Sequence, residues 1–242
     1  MSELVKPYKR SEKNKKDQVT EMFDSISYRY DFLNHFLSLG IDKIWRKRAV
    51  QLLKDYNPKS ILDIATGTGD FAIESLTLRP ERVIGVDISE GMLEKGNSKL
   101  MKKGLEDKIK LQYGDSENLP FKNNSFDAIT VGFGVRNFEN LELGLSEIKR
   151  VLKAGGKFAI LEFSKPKKFP IKQSFRFYSK YIIPVLGKRL AKDKSAYSYL
   201  IESVEAFPEG EEFTKILSAI GFKDVRFMLL TGGIATIYYG TI

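Results

Sequence analysis

Gly67 and Gly69, with Ala72 three positions on, follow an apolar run in the stretch ILDIATGTGDFA at residues 61–72. Glycine lets the backbone approach a bound group where a Cβ would collide, and Thr68 adds a hydroxyl and an amide to the same loop. Asp87 stands about 20 residues further on, the separation at which a carboxylate meets ribose hydroxyls. A G-x-G-x-x-A loop serves either a dinucleotide or the methionine end of S-adenosylmethionine, and the spacing alone leaves both open. The charges around it divide them. Asp63 lies inside the apolar run, Asp70 directly follows Gly69, and Asp115 sits in YGDSENLPF. Carboxylates so placed favour the cationic sulfonium and α-ammonium of S-adenosylmethionine and repel the pyrophosphate of NAD. Asp115 also offers an acceptor for an adenine amine. One such aspartate alone reads as a turn or helix cap; four together at strand ends point to a ligand, and the expected cofactor is S-adenosylmethionine.

The elements that must position these residues alternate from residue 60 onward. SILDI, RVIGVD, IKLQYGD, FDAITVGF and KFAIL read as strands. Between them fall the helical stretch DFAIESLTL, stopped by Pro80, and a helix over 90–103 with Ser89 as N-cap and Gly104 as stop. Leu141, Leu145, Ile148 and Leu152 repeat at helical spacing. FKDVRFMLL and IATIYYGTI flank Thr231-Gly232-Gly233 and predict a hairpin. The expected fold is α/β, a doubly wound and mostly parallel seven-stranded sheet closed by an antiparallel C-terminal hairpin, as in class I S-adenosylmethionine-dependent methyltransferases. One domain over 1–242 is expected. It divides into a helical lead-in or lid (1–50), a cofactor-binding core (51–163), a basic-aromatic segment (164–207) and a last helix with the hairpin (208–242). Phe23, Ile26, Tyr30, Leu33 and Leu37 form an apolar stripe in the lead-in that can pack, or close over the cofactor.

Composition narrows the chemistry further. The chain has no cysteine and one histidine, which excludes disulfides, thiolate nucleophiles and cysteine-ligated zinc, and no metal is expected. No apolar run approaches the ~20 residues that cross a bilayer, and from the charged N-terminal stretch no secretory signal is expected. The net charge of +9 is concentrated: residues 164–196 hold ten Lys/Arg against one acid, Asp193, and the rest is balanced. A local basic block implies either a solvated surface or a local anionic partner, lipid or nucleic acid.

The sequence resembles the ubiquinone/menaquinone biosynthesis C-methyltransferases along nearly its whole length. MFDSISYRYDFLNHFLSLGIDKIWR is similar to that family's entry signature. LDIATGTGD, GVDISEGML and GDSENLPF follow in order but are shared more widely; FGVRNF, LEFSKP, SAYSYLIESVEAFP and LTGGIATIYYG are more specific. The resemblance implies that Thr68, Asp87, Asp115 and Ser116 contact S-adenosylmethionine, with the segment around Gly132 beside it. Gly132 stands where serine is often found, Ser116 where alanine is usual, and Asp42 where histidine is common. The implied reaction is C-methylation of a polyprenylated hydroquinone, demethylmenaquinol to menaquinol, with the benzoquinol precursor of ubiquinone as the alternative.

Only the hydroquinone is electron-rich enough to attack an electrophilic methyl, and ionising one hydroxyl strengthens it. The site must therefore align the ring and stabilise a phenolate. Arg136, after the fourth strand, is expected to hold that oxygen with Asn137 orienting it, against the alternative of a salt bridge to a helix. Tyr197 and Tyr199 are candidate pocket residues. His35 reads first as a packing residue and second as a substrate contact, and Trp45 and Arg46 as folding contacts. Phe175, Phe177, Tyr178, Tyr181, Ile182 and Ile183 interleave with Lys172, Arg176 and Lys180. That mixture suits an anionic lipid surface and predicts a cytoplasmic protein, peripheral at the inner face of the membrane. An RNA methyltransferase and an NAD-dependent oxidoreductase are the competing classes. Against the former, VGFGVRN replaces the proline-rich tetrapeptide of amino-methylating enzymes, so no nucleic-acid partner is expected. Oligomeric state stays open, a homodimer included.

Overall fold

The structure is a computed structural model describing residues 5–29, 38, 40–177 and 194–242. Its strands are β1 (Ser60–Ile64), β2 (Arg82–Asp87), β3 (Ile109–Tyr113), β4 (Phe126–Gly132), β5 (Leu152–Phe163), β6 (Lys223–Leu230) and β7 (Ala235–Thr241). They form one seven-stranded sheet in the order β3-β2-β1-β4-β5-β7-β6. The first five run parallel; β7 pairs antiparallel with both β5 and β6. β1 is buried at every position, so SILDI contains no polar alternation to read: a central parallel strand has helices over both faces. The expected mostly parallel sheet with a C-terminal hairpin is what the chain forms. The hairpin turns at Thr231–Gly233, where Gly232 and Gly233 take φ of 66° and 96°.

Helices α1 (Lys15–Ile26), α2 (Ile41–Gln51), α3 (Asp70–Ser75), α4 (Glu90–Lys103), α5 (Leu141–Val151), α6 (Ile171–Phe177), α7 (Lys194–Ala206) and α8 (Glu211–Ile220), with short 3-10 turns, complete the described elements. Local chemistry sets their ends. Ser89 caps α4 by accepting from the Met92 N–H at 3.1 Å, and Gly104 stops it at φ 62°. Asn140 caps α5 in the same way. Leu152, expected to close that helical row, instead begins β5 in extended conformation. It still packs in the same core as Leu145 and Ile148, so apolar spacing alone did not mark the boundary.

Leu62, Ile64, Ile129 and Val131 point into one core with α5 and α8. Ile61 and Ala128 point into the other with Trp45, Phe71 and Leu93. This is the period-two alternation of a sheet clad on both faces. A third, smaller cluster joins Val19 and Met22 of α1 to Tyr199 of α7. Phe23 and Ile26 of the predicted stripe lie on α1; Tyr30, Leu33 and Leu37 fall outside the described residues. From β1 the chain winds outward through β2 and β3, then returns across to β4. The strand order therefore reverses between β1 and β4, and the crevice at their carboxyl ends is where an open sheet takes a ligand.

Candidate active site

A cleft opens at that reversal point. Its floor is the loop after β1, which enters a left-handed conformation at Ala65 and Gly67 (φ 52° and 56°). The Gly67 N–H donates to Asp87 Oδ2 at 2.7 Å, and the Ser89 N–H donates to Asp87 Oδ1 at 2.9 Å. Asp87 thus ties the end of β2 to the glycine loop, and its carboxylate retains acceptor capacity on each oxygen. Burial raises its pKa, against those two N–H donors. At the end of β3, Asp115 Oδ1 accepts from the Glu117 N–H at 2.9 Å. Its Oδ2 accepts from Lys16 Nζ at 2.7 Å. Ser116 and Gly132 line the same cleft. Gly132 has no room for more: a Cβ there would lie 2.8 Å from Phe71 Cδ1. A Cβ on Gly134 would lie 2.5 Å from that of Ala65, so the loops after β1 and β4 pass in close contact.

Three expected cofactor residues stand behind this lining. Asp63 is fully buried and accepts from Thr66 Oγ1 (2.6 Å) and Thr130 Oγ1 (2.7 Å). Burial pushes its carboxyl up to about 6, against the pull of those hydroxyls and of Arg46. Thr68 Oγ1 accepts from Lys99 Nζ at 2.9 Å, and Gly69 is the N-cap residue of α3. Asp70, expected to repel a pyrophosphate, accepts from the same Lys99 Nζ at 2.9 Å and lies 3.9 Å from Arg46. Those cations neutralise it, so it does not discriminate between cofactors in the way its bare charge suggested.

The 3-10 turn Val135–Asn137 follows β4 and carries Arg136 and Asn137. Asn137 lines the cleft and accepts from the Tyr199 hydroxyl at 3.1 Å. Burial raises the Tyr199 pKa well above its ordinary range, so this hydroxyl keeps its proton. Arg136 turns away from the lining: its Nη1 donates to Glu162 Oε1 at 2.6 Å and to the Phe133 carbonyl at 2.5 Å. The salt-bridge alternative for Arg136 therefore holds, with a strand carboxylate as partner rather than a helix. Tyr197's side chain and His35 lie outside the described residues. Trp45 donates to Thr231 Oγ1 at 2.8 Å, and Arg46 pairs with Asp42.

Of the residues with which α1 lines the cleft, sequence reasoning marked Phe23, in the apolar stripe expected to pack or to close over the cofactor, but did not single out Lys16 and Val19. Nor did it single out Lys15, whose buried Nζ donates to the Arg136 and Phe138 carbonyls at 2.9 and 2.8 Å. Both lysines lie in a run of charge that reads as a solvated tail. At its other end α1 is held by Asp24, which accepts from Ser89 Oγ at 2.5 Å and the Gly91 N–H at 3.0 Å. The one available signal was the amphipathic spacing of Val19, Met22 and Phe23.

With the fold and cleft established, comparison with known proteins places the chain. Among solved structures it is similar to a SAM-dependent methyltransferase of Thermotoga maritima, with a TM-score of 0.65, 20% identity, and 92% and 98% of the two chains covered. Another from Aquifex aeolicus gives 0.58 at 20% identity, covering 80% of this chain and 89% of that one. These establish the fold alone. A demethylmenaquinone methyltransferase of Bacteroides fragilis is 53% identical over 240 residues, 99% of this chain and 98% of that protein. One from Porphyromonas gingivalis is 42% identical over 98% of each. A ubiquinone/menaquinone biosynthesis C-methyltransferase of Geotalea uraniireducens is 44% identical over 96% of this chain and 99% of that protein. The model of the ubiE/COQ5 methyltransferase family matches residues 10–242, and the chain belongs to that family.

Proposed function

We propose that this chain transfers a methyl group from S-adenosylmethionine to a ring carbon of a polyprenylated hydroquinone, with demethylmenaquinol as the acceptor. The observation that carries this is the 53% identity, across 99% of the chain, to a demethylmenaquinone methyltransferase. C-methylation of a benzoquinol is the second reading, favoured by the relative named for both quinones.

The donor set fits the cofactor. Asp87 and Asp115 bring carboxylates to the ends of adjacent strands, and Ile88, Met92 and Phe138 supply apolar walls for a flat base. In this proposal Asp87 takes the ribose hydroxyls, and Asp115 with Ser116 takes the adenine amine. Gly67, Gly69, Thr68 and Gly132 shape the methionine end, and Asp63 sets negative charge beneath it. When bound, S-adenosylmethionine supplies an electrophilic methyl whose bond to sulfur breaks as the ring carbon bonds to it. Asn137 acts on the acceptor and Tyr199 acts through it: the Tyr199 hydroxyl, which keeps its proton and is not a base, donates to Asn137 Oδ1 and so fixes the amide that orients the ring oxygen. Arg136, its charge paired with Glu162, acts from behind the Phe133 wall by holding the Phe133 carbonyl that Asn137 also meets, rather than by direct grip on the phenolate. A water takes the hydroxyl proton before transfer; afterwards the methylated ring carbon loses its own hydrogen as a proton to solvent and the ring oxygen regains one, restoring the hydroquinone.

The exposed Phe169 precedes α6, and the exposed Phe177 ends it; the helix also carries Lys172 and Arg176. This supports docking of the 164–177 face on an anionic membrane at its cytoplasmic side; Tyr178, Lys180, Tyr181, Ile182 and Ile183 of the same block lie outside the described residues. Among the described residues no helix is long and apolar enough to cross a membrane. Liposome binding that weakens with salt supports the docking, and salt-insensitive binding refutes it.

The decisive test is turnover. Purified enzyme with labelled S-adenosylmethionine is offered reduced demethylmenaquinol and a reduced benzoquinol precursor, and products are identified by mass spectrometry. Methyl on the naphthoquinol ring is expected. Transfer to neither ring, or to RNA, overturns the proposal. Calorimetry with S-adenosylhomocysteine and NADH separates the oxidoreductase class.

A further inference from the structure

Glu162 stands near the end of β5, opposite the turn that carries Arg136, and is completely buried. Its Oε1 accepts from Arg136 Nη1 at 2.6 Å and from the Phe163 N–H at 2.9 Å. The Arg136 N–H approaches its Oε2 at 3.4 Å. The guanidinium lies 5.4 Å from the centre of the Phe163 ring, and that ring stacks on Phe133 at 4.3 Å between centroids. Phe133 and Asn137 form the wall of the cleft. The pair therefore sits one side-chain layer behind the surface that the acceptor ring would meet.

An ion pair this dry gains little stability over apolar residues of the same size, because both charges lose their hydration. Purely structural buried arginines also satisfy their donors. Here Arg136 Nε is buried and has no hydrogen-bond partner among the described residues. We propose that Glu162 is a positioning residue for methyl transfer, locking the Arg136 guanidinium behind the Phe133–Asn137 wall and with it the Phe133 carbonyl and the Asn137 amide that meet there. This rests on the quinol reading above. Glu162 touches neither cofactor nor acceptor and acts through Arg136. It also compensates the arginine charge.

The test uses the full-length enzyme and three variants, Glu162→Gln, Arg136→Gln and the double. Glu162→Gln keeps size and one acceptor oxygen. It is expected to lower kcat about 100-fold, the scale of a misplacement of about 1 Å caused from outside the reacting groups, with S-adenosylhomocysteine affinity and KM little changed. Arg136 left uncompensated makes the bound hydroquinone easier to ionise, so the acid limb of the kcat–pH profile moves to lower pH. A merely structural role would lower stability and cofactor affinity and leave that limb in place. The double variant is expected to be no slower than Arg136→Gln alone, and being a neutral pair it covers the case in which Glu162→Gln does not fold. Multiplicative losses, or unchanged kcat in Glu162→Gln, overturn the proposal.

An arm independent of turnover follows the Arg136 Nε–H resonance of the S-adenosylhomocysteine complex. It is expected to be immobile in the wild type and averaged in Glu162→Gln; equal mobility refutes positioning. A wild type inactive on demethylmenaquinol overturns the functional reading and the catalytic half of this proposal, while the resonance still decides whether Glu162 holds Arg136.

Discussion

Replacing Asp63 by Asn isolates the consequence of placing a charge in the middle of a sheet. Asp63 is fully buried in β1, and burial raises its carboxyl from 3.8 to about 6, despite hydrogen bonds from Thr66 and Thr130. The folded value lies above the unfolded one, so the contribution of this group is fully present below about pH 4 and is lost as pH rises through about 6. Each pH unit across that window is worth about 1.4 kcal/mol, so ionised Asp63 costs the fold up to about 3 kcal/mol at neutral pH. Asn keeps both hydroxyl partners, since its carbonyl accepts from one threonine and its amide donates to the other. Urea unfolding of wild type and Asp63→Asn between pH 4 and 8 is expected to give stability curves that diverge between pH 4 and 6. Above that they should run parallel, with the variant the more stable. Curves parallel throughout refute the reasoning, because they mean the carboxyl ionises as easily inside the protein as outside. Calorimetry on the same variant should show weaker binding of cationic S-adenosylmethionine relative to neutral S-adenosylhomocysteine. A stabilised protein with a poorer grip on its methyl donor would show that the buried charge is retained for binding rather than folding.

Other substitutions test the remaining contacts. Asp115→Asn should weaken S-adenosylhomocysteine binding about tenfold, the scale of one charge-assisted hydrogen bond, as read by calorimetry. Gly132→Ser forces a Cβ to 2.8 Å from the buried Phe71 ring and should cost about 1–3 kcal/mol in urea unfolding, as overpacking does. Lys15 has its pKa lowered to about 8, burial being the largest cause. Its unfolded form holds the proton up to about pH 10.5, so wild-type stability should rise relative to Lys15→Met as pH goes from 8 to 10. Thermal unfolding at several pH values checks this; a difference that falls with pH contradicts it.

The five parallel strands were legible because each contains a short apolar run, and a parallel sheet asks for nothing subtler, although β5 extends beyond the expected KFAIL to Leu152–Phe163. Helix α4 was legible to the residue, since Ser89 and Gly104 act on their own backbone within three or four positions. The end of α5 was not, because Leu152 packs in the same core whether the backbone is helical or extended. The site divides in the same way. Asp87 and Asp115 were identifiable from their places at strand ends, which topology alone brings to one edge.

What no local pattern carried is which partner each charge meets. Lys16 reaches Asp115 across 99 positions, Thr130 reaches Asp63 across 67, and Arg136 reaches Glu162 across 26. The sequence by itself determined the sheet, the glycine loop and the family. Only the tertiary structure decided that Asp70 is neutralised, that Arg136 faces a carboxylate behind the wall, and that a charged N-terminal helix roofs the cleft. Backbone preferences act over a few residues and leave their trace in the chain. Electrostatic pairing and burial act through space, and exist only once the strands have been laid side by side.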